Sequence, residues 1–219
     1  MPFDVIDIFN WFSNSIHNEP ALYIYGLIVL LMTIESSFIP FPSEIVVPPA
    51  AYFAMQTDNI NIVMVVVCAT LGAMLGAWIN YGLSIGIGRP IVYKFANSRL
   101  GAICLINQQK VEDAEKFFDK HGVASTFIGR LIPAVRQLIS IPAGLARMNF
   151  FKFSLYTFLG AGVWNIVLAG LGYFLSTFVS EQDLFVSIEK YNSYLSLVGY
   201  GILAVIIIFI AYQLLKKKK

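Results

Sequence analysis

Prolines interrupt the apolar stretches of this chain, and charged residues stand beside the interruptions. Glu35 and Glu44 flank Ile39-Pro40-Phe41-Pro42, and Arg130 and Arg136 flank Pro133. Each charge lies in a segment otherwise apolar enough to enter a bilayer. A charged side chain at the bilayer centre costs roughly 2.5–3.5 kcal/mol on insertion scales, so it faces the protein interior or a wet cavity. Proline removes a helix hydrogen bond, and the carbonyl it frees is tolerated at that depth only against protein or water. Pro40, Pro42 and Pro133 therefore read as helix breaks at one site. Two acids and two bases beside two breaks point to a site for a charged substrate inside the membrane.

Composition agrees. Of 219 residues, 58% are hydrophobic and 13% charged, about half the charged share of an average soluble domain. This excludes an ordinary soluble fold. The N-terminal region has no basic segment and carries Asp4, Asp7 and Glu19, so it does not read as a secretory signal. Cys68 and Cys104 are far apart in unlike surroundings, and two free thiols are expected. His17 and His121 are isolated, so neither a metal site nor a cofactor is expected. No phosphate-binding glycine loop and no nucleophile–base pairing is recognisable, which argues against an enzyme. The basic residues of 89–120 are too sparse for a nucleic-acid surface, and membrane lipids are the expected neighbours.

Hydropathy divides the chain. Residues 1–20 read as an interfacial helix with an apolar face of Ile6, Phe9, Trp11, Phe12 and Ile16, and Trp11 at headgroup level. Residues 21–55 are apolar but broken at Pro40, Pro42, Pro48 and Pro49, which predicts two half-helices and a turn. Residues 60–88 form an uninterrupted span containing Gly72/Gly76 and Gly82/Gly86, small faces suited to close helix packing. Residues 89–120 turn charged and predict an amphipathic surface helix. Residues 121–147 are a second broken segment, interrupted at Gly129, Pro133, Pro142 and Gly144. Residues 150–176 and 195–215 are two further full spans.

Charge asymmetry sets the orientation. No Lys or Arg precedes Arg89; ten lie between Arg89 and Lys152, and four close the chain at Lys216–Lys219. The positive-inside rule puts the C-terminus and 89–149 in the cytoplasm, and 177–194 outside. The two broken segments then enter from opposite sides. The predicted fold is an all-α, single-domain membrane protein: two opposed re-entrant helix pairs in inverted repeat (21–88 and 121–176), about three full transmembrane helices, and amphipathic surface helices. Discontinuous helices meeting at the midplane are the usual seat of a transport site.

Each candidate residue has two readings. Burial raises a carboxylate's affinity for protons, so Glu35 and Glu44 can serve as a proton-coupling pair. Alternatively, Glu44 sits in the first turn of a half-helix, favoured by its dipole. Glu35 ends a half-helix, where a negative charge is poorly placed. Arg130 and Arg136 offer planar forks that suit a phosphate. They also suit internal salt bridges to the two acids, or bridges that open for substrate. Ser36, Ser37, Ser43, Gln137 and Ser140 are weaker lining candidates. Asn165 is expected to bond across helices, Trp164 to pack or to serve the site, and Arg147 to anchor at the cytoplasmic boundary.

The stretch Glu35-Ser-Ser-Phe-Ile-Pro-Phe-Pro-Ser-Glu44 and, more specifically, Phe127-Ile-Gly-Arg130-Leu-Ile-Pro133-Ala-Val-Arg136 resemble the DedA family of membrane proteins, which carry the SNARE-associated or VTT domain. The likeness continues through Ala143-Gly144, Met148, Phe153, Gly160-Ala161 and Trp164, and covers about residues 20–215. The resemblance implies a bacterial inner-membrane protein with two opposed re-entrant helices and lipid transport driven by the proton gradient. It implies functional acids at Glu35 and Glu44 and functional arginines at Arg130 and Arg136. Members similar to this chain are associated with undecaprenyl phosphate, others with phosphatidylethanolamine or with drug and alkali tolerance. Some members carry an Asp after a longer turn where this chain has Glu44. The expected activity is a flippase for an anionic lipid phosphate, with undecaprenyl phosphate as the expected lipid and protons as partners. The alternatives are a proton-coupled small-cation or drug antiporter, and a phosphatidylethanolamine flippase or scramblase. Oligomeric state is left open.

Overall fold

The structure is a computed structural model that describes residues 5–37, 43–98, 108–191, 193, 194 and 197. Pro40, Pro42, Cys104 and the expected span 195–215, but for residue 197, lie outside these residues. Every regular element among the described residues is helical. In chain order they are α1 (Val5–Asn18), α2 (Ala21–Glu35), a 3-10 turn (Ser43–Ile45), α3 (Val47–Gln56), α4 (Ile62–Leu83), a π-turn (Ser84–Gly88) and α5 (Arg89–Ala96). Then come α6 (Gln108–Arg130), α7 (Pro133–Arg136), α8 (Ser140–Leu145), α9 (Phe150–Leu175), a 3-10 turn (Glu181–Asp183) and α10 (184–191).

Among the described residues, two helices are long and apolar enough to cross a bilayer: the run Ile62–Lys94 and α9. Each begins on an asparagine. The Asn61 side chain accepts from the Val63 amide at 2.8 Å, and Asn149 from the Lys152 amide at 3.1 Å. These caps satisfy amides that the first helical turn leaves without partners. By contrast, α2 is 15 residues long, about 22 Å at helical rise, and falls short of a hydrocarbon core about 30 Å thick.

The packing of the halves is reciprocal. α2 lies along α4, while α3 crosses to α9; α6 lies along α9, while α8 crosses to α4. Each long helix thus receives the first limb of its own half and the second limb of the other. Glycines make the close approaches. A Cβ at Gly76 would strike the backbone at Thr33 and Ser36 of the α2 end, and one at Gly160 would strike Arg130 and Phe127 of the α6 end. A Cβ at Gly172 would strike the Pro48 carbonyl of α3, and one at Gly144 the Tyr81 carbonyl of α4. A larger core joins α1–α4 to α9, and a smaller one gathers Ala77, Tyr81, Ile139, Ala143, Met148 and Phe153.

Several sequence boundaries move. The surface helix expected to end at 120 runs unbroken to Arg130, so Gly129 does not interrupt it. Gly129 is instead a contact: a Cβ there would meet the Ile139 side chain at 2.8 Å. Pro48 and Pro49 do not break the first segment. They occupy the first turn of α3, where a missing N–H costs nothing. Pro142 likewise lies near the start of α8. Gly72 and Gly76 pack closely on α2, but Gly82 and Gly86 meet nothing within 4 Å. The α1 face turns Phe9, Phe12 and Ile16 into the protein core rather than toward lipid, leaving Ile6 and Trp11 exposed.

Candidate functional site

The four candidate charges converge where the broken limbs meet. Glu35 is the last residue of α2, Glu44 lies in the 3-10 turn before α3, Arg130 ends α6 and Arg136 ends α7. All four are buried, with 3%, 6%, 2% and 6% of their surfaces exposed. Each half therefore contributes one charge from the end of its first limb and one from the turn that follows. One half supplies both acids and the other both bases, so their formal charges sum to zero.

The sequence left the pairing open, and the structure divides it unevenly. Nη2 of Arg136 donates to Glu44 Oε1 at 2.9 Å and lies 3.1 Å from Glu35 Oε1. The contact to Glu35 is an ion pair without hydrogen-bond geometry. Glu35 Oε2 accepts from the Ser36 hydroxyl at 2.7 Å. Arg130 donates to Ser140 Oγ at 2.8 Å. Among the described residues, Nε and Nη1 of Arg136 and Nε of Arg130 have no hydrogen-bond partner. Both acids thus meet the single nitrogen Nη2, and the two nitrogens on either side of it in the fork are free of the described residues.

The surrounding side chains fix this arrangement. The guanidinium of Arg136 stacks 5.0 Å from the Trp164 ring centroid. A cation over an aromatic face is attracted by the ring quadrupole, by about 2 kcal/mol when desolvated. Asn80 of α4 donates to the Ser36 carbonyl at 3.1 Å and to the Gln137 carbonyl at 3.4 Å. It thereby ties both turns to one long helix and satisfies carbonyls the breaks set free. Asn165 donates to Thr70 Oγ1 at 3.2 Å, the interhelical bond expected of it. The role of Asn80 was missed in the sequence; the signal available was a lone amide in an apolar span, the same signal that singled out Asn165.

Glu35, Ser36, Ser43, Arg130, Arg136, Trp164 and Asn165 line a cavity of about 10 Å³ together with Met32, Ala73 and Ala161, room for on the order of one water. Ser140 is buried against Arg130 rather than on this lining, and Ser37 donates to the Ile34 carbonyl. Pro133 starts α7 next to the site. Arg147 is exposed and lies outside it. Among the described residues, no group of three or more His, Cys, Asp or Glu could hold a metal.

Residues 39–174 match the VTT domain. The chain belongs to this family of membrane proteins, the DedA family. Over 89% of its length it is 33% identical to a protein from Lactococcus lactis subsp. lactis named alkaline phosphatase-like protein, covering 90% of that protein. Over 89% it is 30% identical to the undecaprenyl phosphate transporter A of Staphylococcus aureus, covering 92% of it. It is 24% identical over 75% of its length to protein DedA of Escherichia coli, covering 74% of it. No solved structure matches the chain. The VTT match includes both charged segments except Glu35, which precedes it.

Proposed function

We propose that this protein carries an anionic lipid phosphate, undecaprenyl phosphate being the leading candidate, across the bacterial inner membrane with proton coupling. The observation that carries the reading is the buried Arg136, which meets two acids of the opposite half through Nη2 while its Nε and Nη1 have no hydrogen-bond partner among the described residues. Arg136 and Arg130 are the phosphate ligands, and Glu35 and Glu44 are the proton carriers. The relationship to a protein named undecaprenyl phosphate transporter A supports the substrate class.

The charges suggest how the coupling runs. With both acids ionised the cluster is neutral and Arg136 is engaged. Protonating both acids releases the fork and leaves two positive charges, which balance a phosphate dianion. Binding then stays electroneutral at a depth where net charge is costly. The small cavity fits a closed state, because a phosphate is several times larger than a water. Opening requires the two halves to separate, and the reciprocal packing of α3 on α9 and α8 on α4 suits a rocking motion of inverted repeats. In this proposal the broken pairs are re-entrant, Pro40, Pro42 and Pro133 mark the breaks, and the C-terminus is cytoplasmic.

The test is surface exposure of undecaprenyl phosphate in cells lacking this protein and its redundant relatives, read with a headgroup probe that cannot cross the membrane. Trapping of the lipid on the outer face, rescued by wild type but not by Arg136→Lys, is expected. Unchanged exposure would shift the reading to another lipid or to small-cation antiport. Release of inorganic phosphate from the lipid by purified protein would favour a phosphatase instead.

A further inference from the structure

Arg147 is the only described non-glycine residue with a positive φ, at 51°. It follows α8 in a helix-terminating turn: Met148 N donates to the Ala143 carbonyl at 3.0 Å, and Arg147 N to the Gly144 carbonyl at 3.0 Å. The left-handed position of such a turn normally takes glycine, sometimes asparagine. A side chain with a Cβ is strained there, and strain of this kind is retained where the side chain has a task. Arg147 is exposed, and its side chain makes no hydrogen bond or ion pair with any described residue.

Arg147 lines a groove of about 330 Å³ with Ile85, Arg89, Pro90 and Tyr93. Arg89 lies 5.4 Å from the Tyr93 ring centroid and donates to Glu115 Oε2 at 2.8 Å. Glu115 offsets one of the two arginine charges, so the groove keeps a positive excess. Its apolar wall includes the π-turn residue Ile85, and departures of this kind from α-helix cluster at functional sites. The groove sits at the C-terminal end of one candidate span and just before the other. Trp78, Phe150 and Phe151 are exposed nearby in sequence on the same two helices. Aromatics of this kind concentrate at headgroup level.

We infer that Arg147 and Arg89 form a second phosphate-monoester site, at the membrane surface, separate from the buried Arg130–Arg136 cluster. The inference rests on the transport reading: the surface groove holds the phosphate before or after its passage through the central site. An arginine without a partner among the described residues, a strained turn, an apolar wall and headgroup depth together suit the phosphate of a lipid.

Glycine at 147 supplies the test, because it fits the turn better than arginine and removes only the charged side chain. Purified full-length protein in detergent is titrated with farnesyl phosphate, inorganic phosphate and farnesol, reading the thermal midpoint. Without ligand, Arg147→Gly and Arg147→Asn are expected to melt at or above the wild-type midpoint. Their apparent affinity for farnesyl phosphate is expected to fall about tenfold, with farnesol inert throughout. Inorganic phosphate acting as strongly as farnesyl phosphate would still sustain the site, with the bare anion as ligand. A lower unliganded midpoint with unchanged affinity would make Arg147 a helix cap and overturn the inference. Arg136→Lys separates the two claims. If it abolishes the response while Arg147→Gly keeps full affinity, only the second site falls; if wild type does not respond at all, the transport reading falls with it.

Discussion

Replacing Arg136 with glutamine and Glu44 with glutamine, singly and together, tests the charge cluster most sharply. The 2.9 Å contact between them corresponds to about 6 kcal/mol of Coulomb attraction at an effective dielectric near 20. Desolvation offsets part of this, and losing one partner of a buried pair typically costs 3–5 kcal/mol. Arg136→Gln strands two carboxylates, both almost wholly buried, and leaves the cluster with one negative charge in excess. Its cost is expected at the upper end of that range. Glu44→Gln leaves Arg136 with Glu35, at a cost of about 2 kcal/mol, since the surviving pair still compensates the cation. The double variant restores neutrality. Its cost is expected to fall short of the sum by about 2–4 kcal/mol, far outside the roughly 0.5 kcal/mol scatter of independent sites. Reversible unfolding of the purified protein in mixed detergent micelles measures all three. Simple additivity would refute the pairing and with it the coupling of protons to phosphate.

Other expectations follow from the packing. Gly172→Leu forces α3 away from α9, because even a Cβ overlaps the Pro48 carbonyl; a loss of about 1–3 kcal/mol or misfolding is expected in the same assay. Gly82→Ala, which meets open space, is expected to be neutral or to gain up to about 1 kcal/mol. Asn165→Leu removes the bond to Thr70 at a cost of about 0.6–2 kcal/mol by unfolding. Trp164→Leu takes away the surface under Arg136. Transport is expected to fall at least severalfold, with Trp164→Phe in between because it keeps a ring face.

The site was legible because bilayer physics makes its ingredients conspicuous. Glu35, Glu44, Arg130 and Arg136 stood out as charges in apolar sequence, and Glu35 does end a half-length helix. The pairing was not legible, because either arginine could reach either acid in a linear reading. Depth and rotation of the limbs give both acids to Arg136 and a serine to Arg130. The sequence leaves Trp164 between packing and the site, since stacking depends on the rotation of α9. Glycine misled most. Gly129 read as a break, yet its missing side chain makes room for Ile139 inside a continuous helix. Gly82 and Gly86 had the spacing of a packing motif but face open space. Spacing alone does not say which helix face finds a partner.

The most direct measurement is transbilayer movement of a fluorescent polyprenyl phosphate in vesicles containing the purified protein, under an imposed proton gradient. Wild type is expected to accelerate movement in the direction set by the gradient. Arg136→Lys is expected to lose at least tenfold while remaining folded, because a lysine keeps the charge but not the fork. Glu35→Gln with Glu44→Gln is expected to abolish the response to the gradient. Equal rates for wild type and Arg136→Lys, or movement no faster than in empty vesicles, would contradict a lipid-phosphate carrier built around Arg136.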